Sequence, residues 1–205
     1  MIVASEGLKV REEVETAEEH NEEDGHLHEE GDPHFWLDPV LVIQYVNNIR
    51  DGFTTLDPQG EAYFTKNAEA YIRKLNDLDK EIRKTVSEIP VEKRLLVTNH
   101  ESFGYFADEY DFKVVGTILL SSSSMADPSA GQLTKLINEI HKTGSPAIFL
   151  ETGSNTAVAK QIAKETGVKL VTDLFTHSLT SAEGAAPTYL DMIRHNVNTI
   201  AAALK

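Results

Sequence analysis

Leu95-Leu96-Val97-Thr98-Asn99-His100-Glu101-Ser102-Phe103-Gly104-Tyr105-Phe106 is the stretch from which the architecture is read. A short, branched apolar run reads as a buried strand, and the polar and aromatic residues after it read as a turn into a helix over 101–110. The alternation then repeats. Lys113-Val114-Val115-Gly116-Thr117-Ile118 is a second strand, followed by a Ser-rich loop and a helix over 129–143 capped near Ser129. Ala147-Ile148-Phe149-Leu150 is a third, followed by a helix over 155–166 that Gly167 ends. Lys169-Leu170-Val171-Thr172 is the fourth, followed by an irregular stretch over 175–187 and a last helix over 188–204. Short apolar strands separated by amphipathic helices predict an α/β fold with a four-stranded parallel sheet flanked by helices.

Upstream, Asp38-Pro39 opens a helix, with Asp38 as N-cap and Pro39 at the first helical position. Val40, Ile43, Val46 and Ile49 recur at helical spacing, and Gly52 is the expected end. Asp57-Pro58 repeats the start signal. Tyr71, Leu75, Leu78, Ile82, Val86 and Ile89 then form one stripe that predicts a long spine helix over 58–90, about 45 Å in length. Ile2-Val3-Ala4 reads as a short strand-like piece within residues 1–10. Residues 11–33 are acidic, His-bearing and poor in apolar residues, and read as a flexible loop. The expected organisation is therefore 1–10, the loop 11–33, a helical linker 34–92, and an α/β lobe 93–205.

Charge narrows the function. The first 32 residues hold twelve acids against Lys9 and Arg11, about −10 of the net −14. Nothing resembles a basic stripe, which excludes nucleic acid, and an anionic membrane surface is an equally poor partner. With no cysteine in the chain, His, Asp and Glu are the only strong metal ligands. Met1–Glu6 has no basic leader followed by an apolar run, so it is not read as a signal peptide.

Sites in open parallel sheets lie at the carboxyl ends of strands. Those ends here carry Asn99-His100-Glu101, Glu151-Thr152-Gly153, and the run from Asp173 to His177. His34 alone reads as a turn histidine. Beside His100 and a tract bearing His20, His26 and His28, it reads as a metal ligand. His100 serves equally as a helix-capping group, and Glu101 as a first-turn carboxylate facing the helix dipole. His177 and Asp173 compete as donors in the last loop. Glu151 anchors a loop, hydrogen-bonds a ligating imidazole, or is solvated. His141 and His195 read as structural.

With those residues laid out, the chain resembles the substrate-binding proteins of zinc and manganese ABC importers. Asp32-Pro33-His34-Phe35-Trp36-Leu37-Asp38-Pro39 is similar to that family's Asp-Pro-His-x-Trp-Leu-Asp-Pro element, and Thr98–Phe106 to its second ligand segment. Ala163–Val168 and Pro187–Met192 match later landmarks. The resemblance implies two lobes joined by a rigid helix, with metal in the cleft, and places residues 1–10 as the tail of a first lobe that this sequence does not contain. It implies His34, His100 and His177 as metal ligands, the last where the family commonly has aspartate. Glu101, Glu151 and Asp173 become supporting or alternative ligands, and His20, His26 and His28 a low-affinity collector. Three imidazoles favour zinc over manganese. The implied function is capture of zinc outside the cytoplasm and delivery to a membrane permease, without catalysis. The alternatives are a three-ligand zinc hydrolase and an interaction domain with no metal. The surface left by the missing lobe is an expected place for self-association.

Overall fold

The computed structural model describes residues 1–11, 31–119 and 128–205. Ten elements carry the fold: α1 Pro39–Leu56, α2 Glu61–Ser87, β1 Leu95–Thr98, α3 Gly104–Glu109, β2 Lys113–Thr117, α4 Ala130–Thr143, β3 Ala147–Glu151, α5 Ala157–Thr166, β4 Lys169–Leu174 and α6 Tyr189–Leu204. The four strands are parallel, in the order β2-β1-β3-β4. The chain therefore winds from β1 to one side and then returns to its other side. The switch point lies between β1 and β3, where such sheets bind ligands.

Alternation along the strands builds two cores. Leu96 and Phe149 face a cluster shared with Leu78, Ile82 and Val86 of α2 and Ile193, Val197 and Ile200 of α6. Val97, Ile148 and Leu150 face the opposite cluster with Leu136 and Ile140 of α4 and Ile162 of α5. A residue pair one step apart on a strand thus serves both layers, which is why these strands read as continuous apolar runs. Helix ends follow the local signals. Asp38 accepts from the Val40 N–H at 2.8 Å at the start of α1. Ser129 and Gln132 form a capping box for α4, and Gly144 and Gly167, at φ 71° and 76°, close α4 and α5.

Several expectations change. Ile2-Val3-Ala4 forms no strand, because its backbone is taken up by α1 instead: Asn48 Nδ2 donates to the carbonyls of Ala4 at 2.8 Å and Glu6 at 2.9 Å. Gly52 does not end α1, which runs on to Leu56. A Cβ there would stand 2.5 Å from Ile2, so this glycine admits the N-terminal segment against the helix. On α1 the buried residues are Pro39 and Val42, while Ile49 is 39% exposed, since this helix packs chiefly on α2 and not on the sheet. The spine helix is Glu61–Ser87, about 40 Å long, after a separate 3-10 turn at Pro58–Gly60. The helix expected over 101–110 begins only at Gly104, leaving residues 99–103 as the turn that carries His100. The Ser-rich loop over 120–127 lies outside the described residues.

Candidate metal centre

His34 stands in the turn before a 3-10 segment, Phe35–Leu37, and is 3% exposed. Asp32 fixes it twice: its Oδ1 accepts the His34 backbone N–H at 2.9 Å and lies 2.7 Å from Nδ1. The proton therefore belongs on Nδ1, and Nε2 is left with a lone pair. His100, 4% exposed, leaves the end of β1, with its carbonyl accepting from Thr98 Oγ1 at 2.8 Å. Its Nδ1 lies 2.6 Å from Glu151 Oε1, at the end of the neighbouring strand β3. The same carboxylate reaches His177 Nδ1 with Oε2 at 3.3 Å, and Thr176 Oγ1 lies 2.8 Å from that nitrogen.

Ring nitrogens of His34, His100 and His177 all lie within 4.8 Å of one another. Nε2 of His34 and Nε2 of His100 are 3.4 Å apart. Two ligands on a tetrahedral ion with bonds of about 2.05 Å are separated by about 3.3 Å, so this pair already has the spacing of metal ligands. With His34 Nδ1 hydrogen-bonded to Asp32 and Glu151 close to His100 Nδ1, the Nε2 atoms of the two rings are the ones that face each other across that gap.

The electrostatics fit that use. Burial pushes the Glu151 carboxyl up, but the hydrogen bonds from His100 and Thr176 and the closeness of the His177 ring outweigh it and hold the group down at about 2. It is an anion at neutral pH. Glu151 and Asp32 thus supply negative charge behind the imidazoles without occupying the ligand positions.

The sheet edge is tied together by residues that are not ligands. Trp36 Nε1 donates to the Thr176 carbonyl at 2.7 Å, and its ring centroid lies 5.2 Å from that of His34 and 5.7 Å from that of His177. Asn196, buried on α6, grips Phe175 at both backbone groups, accepting its N–H at 2.9 Å and donating to its carbonyl at 2.6 Å. The loop bearing His177 is therefore held from both sides. The only signal of Asn196 in the sequence is a polar residue inside the apolar stripe Met192, Ile193, Val197, Ile200. The signal of Asp32 is its place two residues before His34, from which a side chain reaches back to the backbone.

Two expected supporting residues are elsewhere. Glu101 is neither in the first turn of α3 nor at the imidazoles, because Arg11 Nη1 donates to its Oε1 at 2.6 Å. Asp173 is inside β4, which runs two residues further than expected, and its carboxylate lies 3.6 Å from His195 on α6. His20, His26 and His28 lie outside the described residues.

Comparison with known proteins places the whole chain among metal-binding relatives. The chain is 34% identical over 173 residues to a manganese-binding lipoprotein of Halalkalibacterium halodurans, covering 84% of this chain and 57% of that protein. It is 37% identical over 192 residues to a zinc-binding lipoprotein of Streptococcus pneumoniae, covering 92% of this chain and 37% of that one. The chain thus spans about half the length, or less, of these curated relatives. A manganese-bound mutant of a periplasmic metal-binding protein from Candidatus Liberibacter asiaticus superposes with a TM-score of 0.85 at 26% identity, over 100% of this chain and 71% of that chain. The profile of the family described as zinc-uptake complex component A, periplasmic, matches residues 1–203, and the chain belongs to that family.

Proposed function

We propose that this chain is part of an extracytoplasmic solute-binding protein that captures Zn2+ and hands it to the permease of an ABC metal importer. The observation that carries this reading is the convergence of His34, His100 and His177 within 4.8 Å, with a carboxylate oxygen close to the Nδ1 of each. In this reading those three are the ligands, Glu151 orients two of them, and residues 93–205 form the metal-binding lobe behind the linker 34–92. Zinc is favoured over manganese because all three donors are imidazoles, and manganese prefers harder oxygen. Relatives named for zinc and for manganese bracket that choice. A hydrolytic role is disfavoured, since Glu101 is engaged by Arg11 and Glu151 by two imidazoles, leaving neither as a free base. An extracytoplasmic location is supported by relatives named as lipoproteins and as a periplasmic protein.

Calorimetric titration of metal-free protein with zinc and, separately, with manganese tests the assignment. Zinc binds more tightly than manganese, and His100→Ala weakens zinc at least tenfold. Weak zinc binding that His100→Ala leaves unchanged would remove the metal centre from the sheet edge.

A further inference from the structure

Arg11 is nowhere near the imidazoles in sequence, yet it is built into the wall behind them. Its carbonyl accepts the Asp32 N–H at 3.0 Å in an isolated antiparallel bridge. Tyr105 Oη closes that bridge from the other side, accepting the Arg11 N–H at 2.8 Å and donating to the Asp32 carbonyl at 2.7 Å. The guanidinium reaches Glu101, the residue after His100, at 2.6 Å and Asp108 at 2.9 Å. Two glycines make room for it. A Cβ at Gly31 would stand 2.6 Å from the Arg11 carbonyl oxygen, and a Cβ at Gly104 would stand 2.5 Å from Arg11 Nη1 and 2.8 Å from Asp32 Oδ2.

Asp32 is the carboxylate that sets the tautomer of His34, and it is 1% exposed. Its Oδ2 has no hydrogen-bond partner among the described residues. A buried carboxylate in that state is costly unless a cation lies nearby. The cation bordering the same point above Gly104 is the Arg11 guanidinium, which lies beside Asp32 while its ion pairs go to Glu101 and Asp108. We infer that Arg11 is a positioning residue for the metal centre: through the main-chain bridge and the charge beside Asp32, it holds the carboxylate that makes His34 present Nε2 to a metal. The inference rests on the metal-centre reading of His34. It adds a residue outside the ligand segments whose loss is felt at one imidazole and not at the other two.

The test uses the full chain, labelled with 15N-histidine, and Zn2+ as the probe. In metal-free wild type, long-range 15N correlation finds His34 protonated on Nδ1. Arg11→Ala turns His34 into a mixture of tautomers, leaves His100 and His177 as they were, and weakens zinc about tenfold, at the low end for a partner behind a ligand. Arg11→Lys, which keeps the charge, recovers most of that loss. A merely structural role lowers the thermal midpoint while leaving the tautomer of His34 in the folded fraction unchanged. Should Arg11→Ala not fold, Arg11→Gln carries the test, since it keeps most of the side chain and its hydrogen-bonding tip while removing only the charge. Unchanged His34 tautomer and zinc affinity within twofold of wild type in the folding variants overturn the inference. Wild type that binds no zinc, with the tautomer still shifted by Arg11→Ala, overturns the metal reading and leaves the positioning role standing.

Discussion

Glu151→Gln separates orientation from mere packing, because the substitution keeps the shape and changes only the hydrogens. The carboxylate serves two acceptor duties at once: Oε1 lies 2.6 Å from His100 Nδ1 and Oε2 lies 3.3 Å from His177 Nδ1. An amide has one acceptor oxygen and one NH2. Whichever imidazole meets the NH2 must become the acceptor, so its proton moves to Nε2 and that nitrogen no longer ligates. One of the three imidazoles is therefore lost or must re-tautomerise against its neighbour. Changes behind a metal ligand typically weaken binding 10–100-fold, about 1.4–2.7 kcal/mol. Glu151→Gln should fall in the upper half of that range, and Glu151→Ala, which leaves both Nδ1 protons free to find water, should be the milder of the two. Competition against a chromophoric zinc chelator at pH 7.5 measures both. The same variant reports on acid stability. With the carboxyl held at about 2 against an ordinary 4.5, wild type has this contribution above pH 4.5 and loses it as pH falls from 4.5 toward 2. Glu151→Gln lacks that decline. Zinc affinity equal to wild type in Glu151→Gln, or a weaker effect there than in Glu151→Ala, would refute the tautomer argument.

Two further outcomes follow from groups near the centre. Burial pushes the Asp38 carboxyl up to about 7, with the charges of Glu109 and Asp79 adding to it and the Val40 N–H opposing. The stability it contributes in acid is lost as pH rises from its ordinary 3.8 through about 7, so Asp38→Asn, which keeps an N-cap oxygen, should be about 2–4 kcal/mol more stable than wild type at pH 8 and close to it at pH 4 by urea denaturation. Trp36 is the only tryptophan, and its ring sits against His34 and His177, so zinc titration should change its emission with the stoichiometry of the tight site. Trp36→Phe removes the bond to the Thr176 carbonyl, worth about 1 kcal/mol, and should weaken zinc about fivefold by calorimetry; unchanged emission and affinity would detach Trp36 from the centre.

The converging histidines were legible in the sequence because strand ends are. Leu95–Thr98 and Lys169 onward are apolar runs whose exits fall in register once the sheet is parallel, and His100 and His177 stand on those exits. His34 needed the neighbouring Asp-Pro-His-Phe-Trp pattern, since nothing in its own spacing brings it to the sheet. Asp173 was misjudged for a reason of parity. A strand that continues two residues further keeps Asp173 on the pleat, where it points to His195 on α6 and not into the loop. Glu101 was misjudged because its nearest sequence neighbour is His100 but its charge partner is Arg11, 90 residues earlier. Asn196 and Arg11 share that opacity, since their roles exist only after residues far apart in the chain are packed together.

The charge balance of the centre ties these observations to the cargo. None of the three candidate ligands is anionic, yet Asp32 and Glu151, both behind imidazoles, bring two negative charges within hydrogen-bond distance of the rings. The Arg11 guanidinium near Asp32 is itself paired with Glu101 and Asp108, so the nearly fully buried wall around His34, His100 and Asp32 keeps a negative balance that would favour a cation. In the metal-centre reading, a preference for a borderline ion would reside in the imidazoles that face it.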